Sequence, residues 1–272
     1  MNNTSKKPLE QYEIIDLHTH IFPNAVARKA TDNVGNYYGL KTYGNGSMED
    51  LLSNDGGLNI THFVISSAAL NPVKTVGINN FIHDCCVNNK RFIGFGSFHR
   101  DTPDALQEID RIISLGLHGI KLHPDFQGFN IDDEKMYPLY EKLEGKLPIL
   151  FHVGDTKSDC SNPKRLRKIM DKFQGLTVIA AHLGGYSTYE LAKEYIFGTR
   201  AYMDTSDAQR FVEPDELVKS TRAHGINKIL FGSDFPLLHT HQAAKELYEL
   251  DFTHNEFKSI FAENAKSLFN IN

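Results

Sequence analysis

Short apolar, β-branched runs recur along the whole chain, at 14–18, 62–66, 92–96, 119–123, 148–152, 177–182, 201–204 and 228–232. Each is close to continuously apolar rather than alternating, the pattern of a strand buried on both faces in a parallel sheet. Between the runs lie segments with helical spacing and readable starts. Thr102-Pro103, Asn162-Pro163 and Glu213-Pro214 each put proline at a first helical position, and Thr102 and Asn162 are good caps. After the first of these, Leu106, Ile109, Ile112 and Ile113 recur at helical spacing, with Asp104, Glu108 and Asp110 on a polar side and Gly116 as the stop. Eight strands alternating with helices predict an α/β fold, a (β/α)8 TIM barrel, and 257–269 reads as an extra C-terminal helix. A doubly wound open sheet would use the same units, but no G-x-G-x-x-G follows the first strand. The stretch 31–47, rich in Gly, Asn and Tyr, is expected to be the longest irregular segment, with Tyr37, Tyr38 and Tyr43 packing it against the barrel or covering a pocket.

Composition narrows this further. The 272 residues leave one or two domains open, and eight strand–helix units fill them as a single domain over 1–272, with 1–12 as a polar extension. Lys plus Arg number 29 against 34 Asp plus Glu, a net charge of −5, which argues against a general nucleic-acid binder. The basic cluster Lys164, Arg165, Arg167 and Lys168 therefore reads as a solvated helix face. Lys6 and Lys7 precede no apolar run, so neither a secretory signal nor a membrane span is expected, and the chain is expected to be cytoplasmic. Cys85, Cys86 and Cys160 have no C-x-x-C spacing and read as reduced thiols.

Thirteen histidines are the chemistry-bearing excess, and six of them fall at the C-terminal ends of predicted strands: His18, His20, His99, His123, His152 and His182. In a barrel, catalytic groups gather at that end. The eighth strand adds Asp234 after Gly232-Ser233. His18 and His20 are two apart on a strand, so alternation points both to one face, with Cα atoms roughly 6.5 Å apart, and both can reach one cation. His239-Thr240-His241 repeats the spacing where a helix should begin, where such side chains diverge.

Four segments carry a family resemblance: Asp16-Leu17-His18-Thr19-His20-Ile21-Phe22-Pro23, Phe151-His152-Val153-Gly154, Ala181-His182-Leu183-Gly184-Gly185 and Gly232-Ser233-Asp234-Phe235-Pro236. In this order, at strand ends, they resemble the amidohydrolase superfamily, specifically its "amidohydrolase 2" branch. The likeness runs from about Ile14 to the last helix. It implies a divalent metal at the barrel mouth, held by His18, His20, His152 and Asp234, with His182 contacting water or substrate. It implies one ion, zinc first. A second ion bridged by a carbamylated Lys121, as in binuclear members, is the alternative. The branch contains hydrolases and decarboxylases related to aminocarboxymuconate-semialdehyde decarboxylase, and dimers are common in it.

On these roles the expected activity is metal-dependent hydrolysis of a small, carboxylate-bearing molecule. A zinc-type ion lowers the pKa of bound water to about 7. Asp234 would take the water proton and return it to the leaving group, with His182 as the second catalytic group. Lys121 and His123 share one face of the fourth strand and are substrate-binding candidates, as is Arg100, whose guanidinium suits a carboxylate. The alternative is a non-hydrolytic decarboxylase using the same ligands. A metal-binding protein without catalysis ranks third, because such an inward cluster has no structural use in a core of this size.

Overall fold

The structure, a computed structural model, describes residues 6–271. Of the expected polar extension, residues 1–5 lie outside the described residues; from Lys6 on, the chain packs down, with Leu9 and Tyr12 buried. The strands are β1 (Ile14–His20), β2 (Ile60–Ser66), β3 (Phe92–Gly96), β4 (Gly119–Leu122), β5 (Ile149–Phe151), β6 (Val178–Ala180), β7 (Tyr202–Asp204) and β8 (Ile229–Leu230). The helices are α1 (Asn24–Tyr38), α2 (Met48–Ser53), α3 (Thr75–Asn88), α4 (Ala105–Ser114), α5 (Pro124–Gln127), α6 (Tyr137–Leu143), α7 (Pro163–Lys172) and α8 (Tyr189–Tyr195), followed by α9 (Pro214–His224), α10 (Thr240–Tyr248), α11 (His254–Lys258) and α12 (Asn264–Phe269). One sheet in the order β1 to β8, with helices between the strands and a helix closing the chain, is the (β/α)8 TIM-barrel topology. No helix among the described residues is long and apolar enough to cross a membrane.

The chain divides into two compact units, Met1–Ile65 with Thr205–Asn272, and Ser66–Asp204. In the first, β1 is joined to the β8 segment by Leu17 N–H on Phe231 O, Asp234 N–H on His18 O and His20 N–H on Phe235 O. Below these strands Tyr12, Phe231, Phe257 and Phe261 form an aromatic core, with Tyr12, Phe257 and Phe261 ring centroids 5.6–5.8 Å apart. Each such ring, fully buried, contributes about 1.5–3 kcal/mol.

In the second unit β3 to β7 pair in parallel register, Phe95 opposite Gly119 and Leu122 opposite Phe151. A Cβ at Gly119 would stand 2.4 Å from the Phe95 ring, so glycine lets that ring lie across the neighbouring strand. On α4, Ile109 and Ile112 are fully buried whereas Leu106 and Ile113 stay exposed, so the apolar stripe is narrower than its spacing suggests.

Local expectations fared unevenly. Asn162 caps α7 through Lys164 N–H and Pro214 opens α9. Thr102 does not cap α4: it is buried against Thr75 and His99, and Asp104 in the left-handed region precedes the helix. The stretch 31–47 is not wholly irregular, because α1 runs through Tyr38 and ends on Gly39 at φ +69. Its buried positions are Ala27, Thr31 and Gly35, small residues that leave no large apolar stripe to read. The C-terminal helix is interrupted, α11 and α12 being joined by the π-helical turn Ser259–Glu263.

Candidate active site

In the first unit, alternation along β1 turns His18 and His20 to one side, and the segment after β8 brings Asp234 against them. His18 Nε2 lies 3.1 Å from His20 Nε2, and each lies 3.3 Å from Asp234 Oδ1. Three donor atoms this close, two of them imidazole nitrogens, converge on one point and need a proton or cation between them. Separations of 3.1–3.3 Å match the edges of a coordination polyhedron with bonds of roughly 2.0–2.2 Å, so this donor set fits a divalent ion. Ser206 Oγ sits 3.0 Å from His18 Nδ1 and fixes the ring with Nε2 toward the cluster.

Asp234 stands at φ +56: among the described residues six non-glycine residues have positive φ, Asp234 and His182, the two catalytic candidates, being two of them. Such conformations persist where the surroundings over-determine them, and they gather at functional sites. Asp16 is wholly buried beside this segment, and its burial pushes the carboxyl up to about 6 against hydrogen bonds from Ser233, Thr240 and His18.

A cavity of about 420 Å³ opens in the same unit, lined by Lys41, Tyr43, Thr205, Arg210, Gly232 and Leu247 among others. Tyr43 thus lines a pocket, whereas Tyr37 and Tyr38 end α1 and pack on each other. His239 precedes α10 and His241 donates to Asn54 O, so the second His-x-His is held by the helix start.

In the second unit His152 and His182 are buried, with His182 Nε2 3.1 Å from His152 Nδ1 and His182 N–H on Asp204 Oδ1. His123 stacks on His152 at 4.0 Å and on Phe126 at 3.9 Å. Its Nδ1 accepts the Phe126 N–H, which in the neutral ring leaves the proton on Nε2 as a donor. Asp125 Oδ2 lies 3.9 Å from His152 Nε2 with no hydrogen-bond partner, and burial raises the carboxyl above its ordinary value. His123, Asp125 and His152 form a second ligand-type group.

Lys121 is completely buried on β4. Arg100 is engaged by Asp133 at 3.0 Å and by Asp101 at 3.3 Å. His99 is held structurally, its Nε2 donating to Gln127 O and its Nδ1 accepting the Asp101 N–H. Gln127, which sequence reasoning passed over, ties three strand ends together: its Oε1 accepts the His123 N–H and its Nε2 donates to Ala69 O and Phe98 O. Nothing local in the sequence marks Ser206, whose partner lies 188 residues away, and the segment 125–129 gives Asp125 and Gln127 no role without partners 27 and up to 58 residues away.

A profile of the Amidohydrolase family matches residues 15–271, and the chain belongs to that family. A 59-residue stretch is 42% identical to 2-amino-3-carboxymuconate-6-semialdehyde decarboxylase of Dictyostelium discoideum, covering 21% of this chain and only 16% of that protein. Among solved structures, 5-carboxyvanillate decarboxylase from Sphingomonas paucimobilis is 15% identical with a TM-score of 0.73, over 96% of this chain and 100% of that one. A dihydroxybenzoic acid decarboxylase from Polaromonas sp. JS666, solved with manganese and the inhibitor 2-nitroresorcinol, is 17% identical with a TM-score of 0.75, over 96% and 97%. At these identities the two structures speak for the fold.

Proposed function

We propose that this chain is a metal-dependent decarboxylase, a lyase, acting on a small carboxylate-bearing molecule of the hydroxyaromatic or muconate type. The observation that carries it is the convergence of His18 Nε2, His20 Nε2 and Asp234 Oδ1 within 3.3 Å. The likeness to three decarboxylases turns the expected hydrolase toward loss of CO2. The family match runs unbroken from 15 to 271, which supports one domain over 1–272. A homodimer remains part of the proposal by family resemblance.

His18, His20 and Asp234 would hold one divalent ion, with His152 as the further ligand that the resemblance implies. Manganese in the Polaromonas enzyme supports a divalent ion at least as well as the zinc first expected. When bound, the ion supplies a positive charge that orients a substrate oxygen and draws electron density from the bond to be broken. Asp234 takes a proton from the substrate hydroxyl and returns it. His182 holds a proton at Nε2 for the carbon that loses CO2: the C–C bond breaks, its electron pair stays on that carbon, and the proton closes the balance. Lys121 and the His123 Nε2–H suit carboxylate oxygens, and Arg100 a carboxylate at the rim, although Asp133 and Asp101 already engage it.

The test is a panel of 2-hydroxybenzoates, 5-carboxyvanillate and aminocarboxymuconate semialdehyde, alongside amides and lactones, given to Mn2+- or Zn2+-loaded protein. One CO2 per acid consumed, without incorporation of oxygen from labelled water, is the expected result. Turnover confined to amides or lactones would return the chain to the hydrolases.

A further inference from the structure

Beside the metal-holding residues, the wholly buried carboxylate of Asp16 is used by none of the steps above. Asp16 lies on β1 two residues before His18, and alternation sets its side chain on the face that carries His18 and His20. Its Oδ1 accepts the His18 N–H at 3.1 Å and the Ser233 N–H at 3.0 Å, and its Oδ2 accepts the Thr240 hydroxyl at 2.6 Å. Those three donors belong to the strand of the paired histidines, to the residue before Asp234, and to the first turn of α10.

The location matters because the backbone leaves its extended path there. Phe231 and Phe235 carbonyls accept from β1, but between them the chain turns so that Asp234 sits at φ +56. In that turn Ser233 N–H reaches a side-chain oxygen of β1 in place of a backbone carbonyl, and Phe235 N–H reaches Ser233 Oγ. A buried N–H left without an acceptor would destabilise the turn, and a left-handed aspartate survives only where neighbouring bonds fix it. The turn is what aims the Asp234 carboxylate back at His18 and His20.

We propose that Asp16 is a positioning residue for the metal centre: its carboxylate locks the Ser233–Asp234 turn and α10 onto β1, and so sets the separation between Asp234 and the two histidines. The inference rests on the proposed metal function and deepens it. Asp16 itself touches neither metal nor substrate. Groups that orient ligands in this way typically change metal affinity by about 10–100-fold when removed.

The test is Mn2+ binding to the full chain, followed by the electron paramagnetic resonance of free and bound ion, with thermal melts of the metal-free proteins beside it. Asp16→Ala is expected to raise the Mn2+ dissociation constant about 10–100-fold and to broaden the bound-ion signal. Asp16→Asn keeps an oxygen for both N–H groups and can donate to Thr240, so it is expected to stay within about threefold of the parent. Thr240→Val, which removes one bond and keeps the shape, is expected to weaken binding several-fold, and it decides the matter should Asp16→Ala fail to fold. A merely structural role would lower the melting temperature while leaving the affinity and the signal of the folded protein unchanged. Parental Mn2+ affinity in folded Asp16→Ala, or in Thr240→Val if that variant must decide, overturns the proposal. His18→Asn separates the two levels: loss of binding there with none in the Asp16 variants defeats positioning alone, whereas unchanged binding in His18→Asn defeats the metal centre itself.

Discussion

In the proposed mechanism Asp234 concentrates the chemistry in one side chain, and it meets both β1 histidines through the same oxygen. Asp234→Asn keeps the shape and removes the charge, the proton exchange and a ligand of the ion, and turnover is expected to fall by at least about 10²–10⁴-fold. The melting temperature of the metal-free variant should stay within a few degrees of the parent, and steady-state rates beside thermal melts check both halves. Unchanged activity would remove Asp234 from the mechanism. At this scale the sequence was readable where the chemistry is local: a His-x-His on a strand must converge, and it does. It was silent where a partner is remote. Asp16 stood in the quoted motif without a role, since Thr240 and Ser233 lie 224 and 217 residues away.

Helix termini illustrate the same limit one level up. Thr253 and Glu256 form a capping box at the start of α11, and Glu256 also pairs with Arg222 on α9 at 2.7 Å. The Arg222 guanidinium, helped by the Thr253 bonds, holds the Glu256 carboxyl down to about 2 from an ordinary 4.5. A depressed folded-state pKa contributes stability that is complete above the ordinary value and disappears as pH falls through the folded one. Glu256→Gln should therefore cost about 1 kcal/mol at pH 7, and the difference from the parent should shrink steadily below about pH 4.5, as paired melts along a pH series would read. A difference that stays constant down to pH 3 would contradict the pairing. Asn162-Pro163 was a legible start because cap and proline act within two residues. The α1 helix was illegible because Ala27, Thr31 and Gly35 pack without bulk, and Gly35 lets the returning chain pass, a Cβ there meeting Leu40 O at 2.8 Å.

For the whole molecule, repetition carried the inference. All eight predicted runs contain a strand, because a core strand covered on both faces must be apolar at nearly every position. Strand-end position marked His18, His20, His152 and His182 as candidates and set them apart from His239 and His241 at a helix start. It did not separate His99, which sits at a strand end yet serves the Gln127 carbonyl, since strand-end placement says nothing of hydrogen-bond partners. Reaction type lay beyond reach for a similar reason: the same ligands serve hydrolysis and decarboxylation, and only the relatives tilt the choice.

The proposed dependence of the chemistry on one ion is checked most directly by metal analysis of protein reconstituted with Mn2+ and freed of excess. One ion per chain is predicted, falling to near zero in His18→Asn and in Asp234→Asn at unchanged fold. Two tightly bound ions would instead favour a carbamylated Lys121 bridge, and metal content unaffected by either substitution would contradict the centre built on His18, His20 and Asp234.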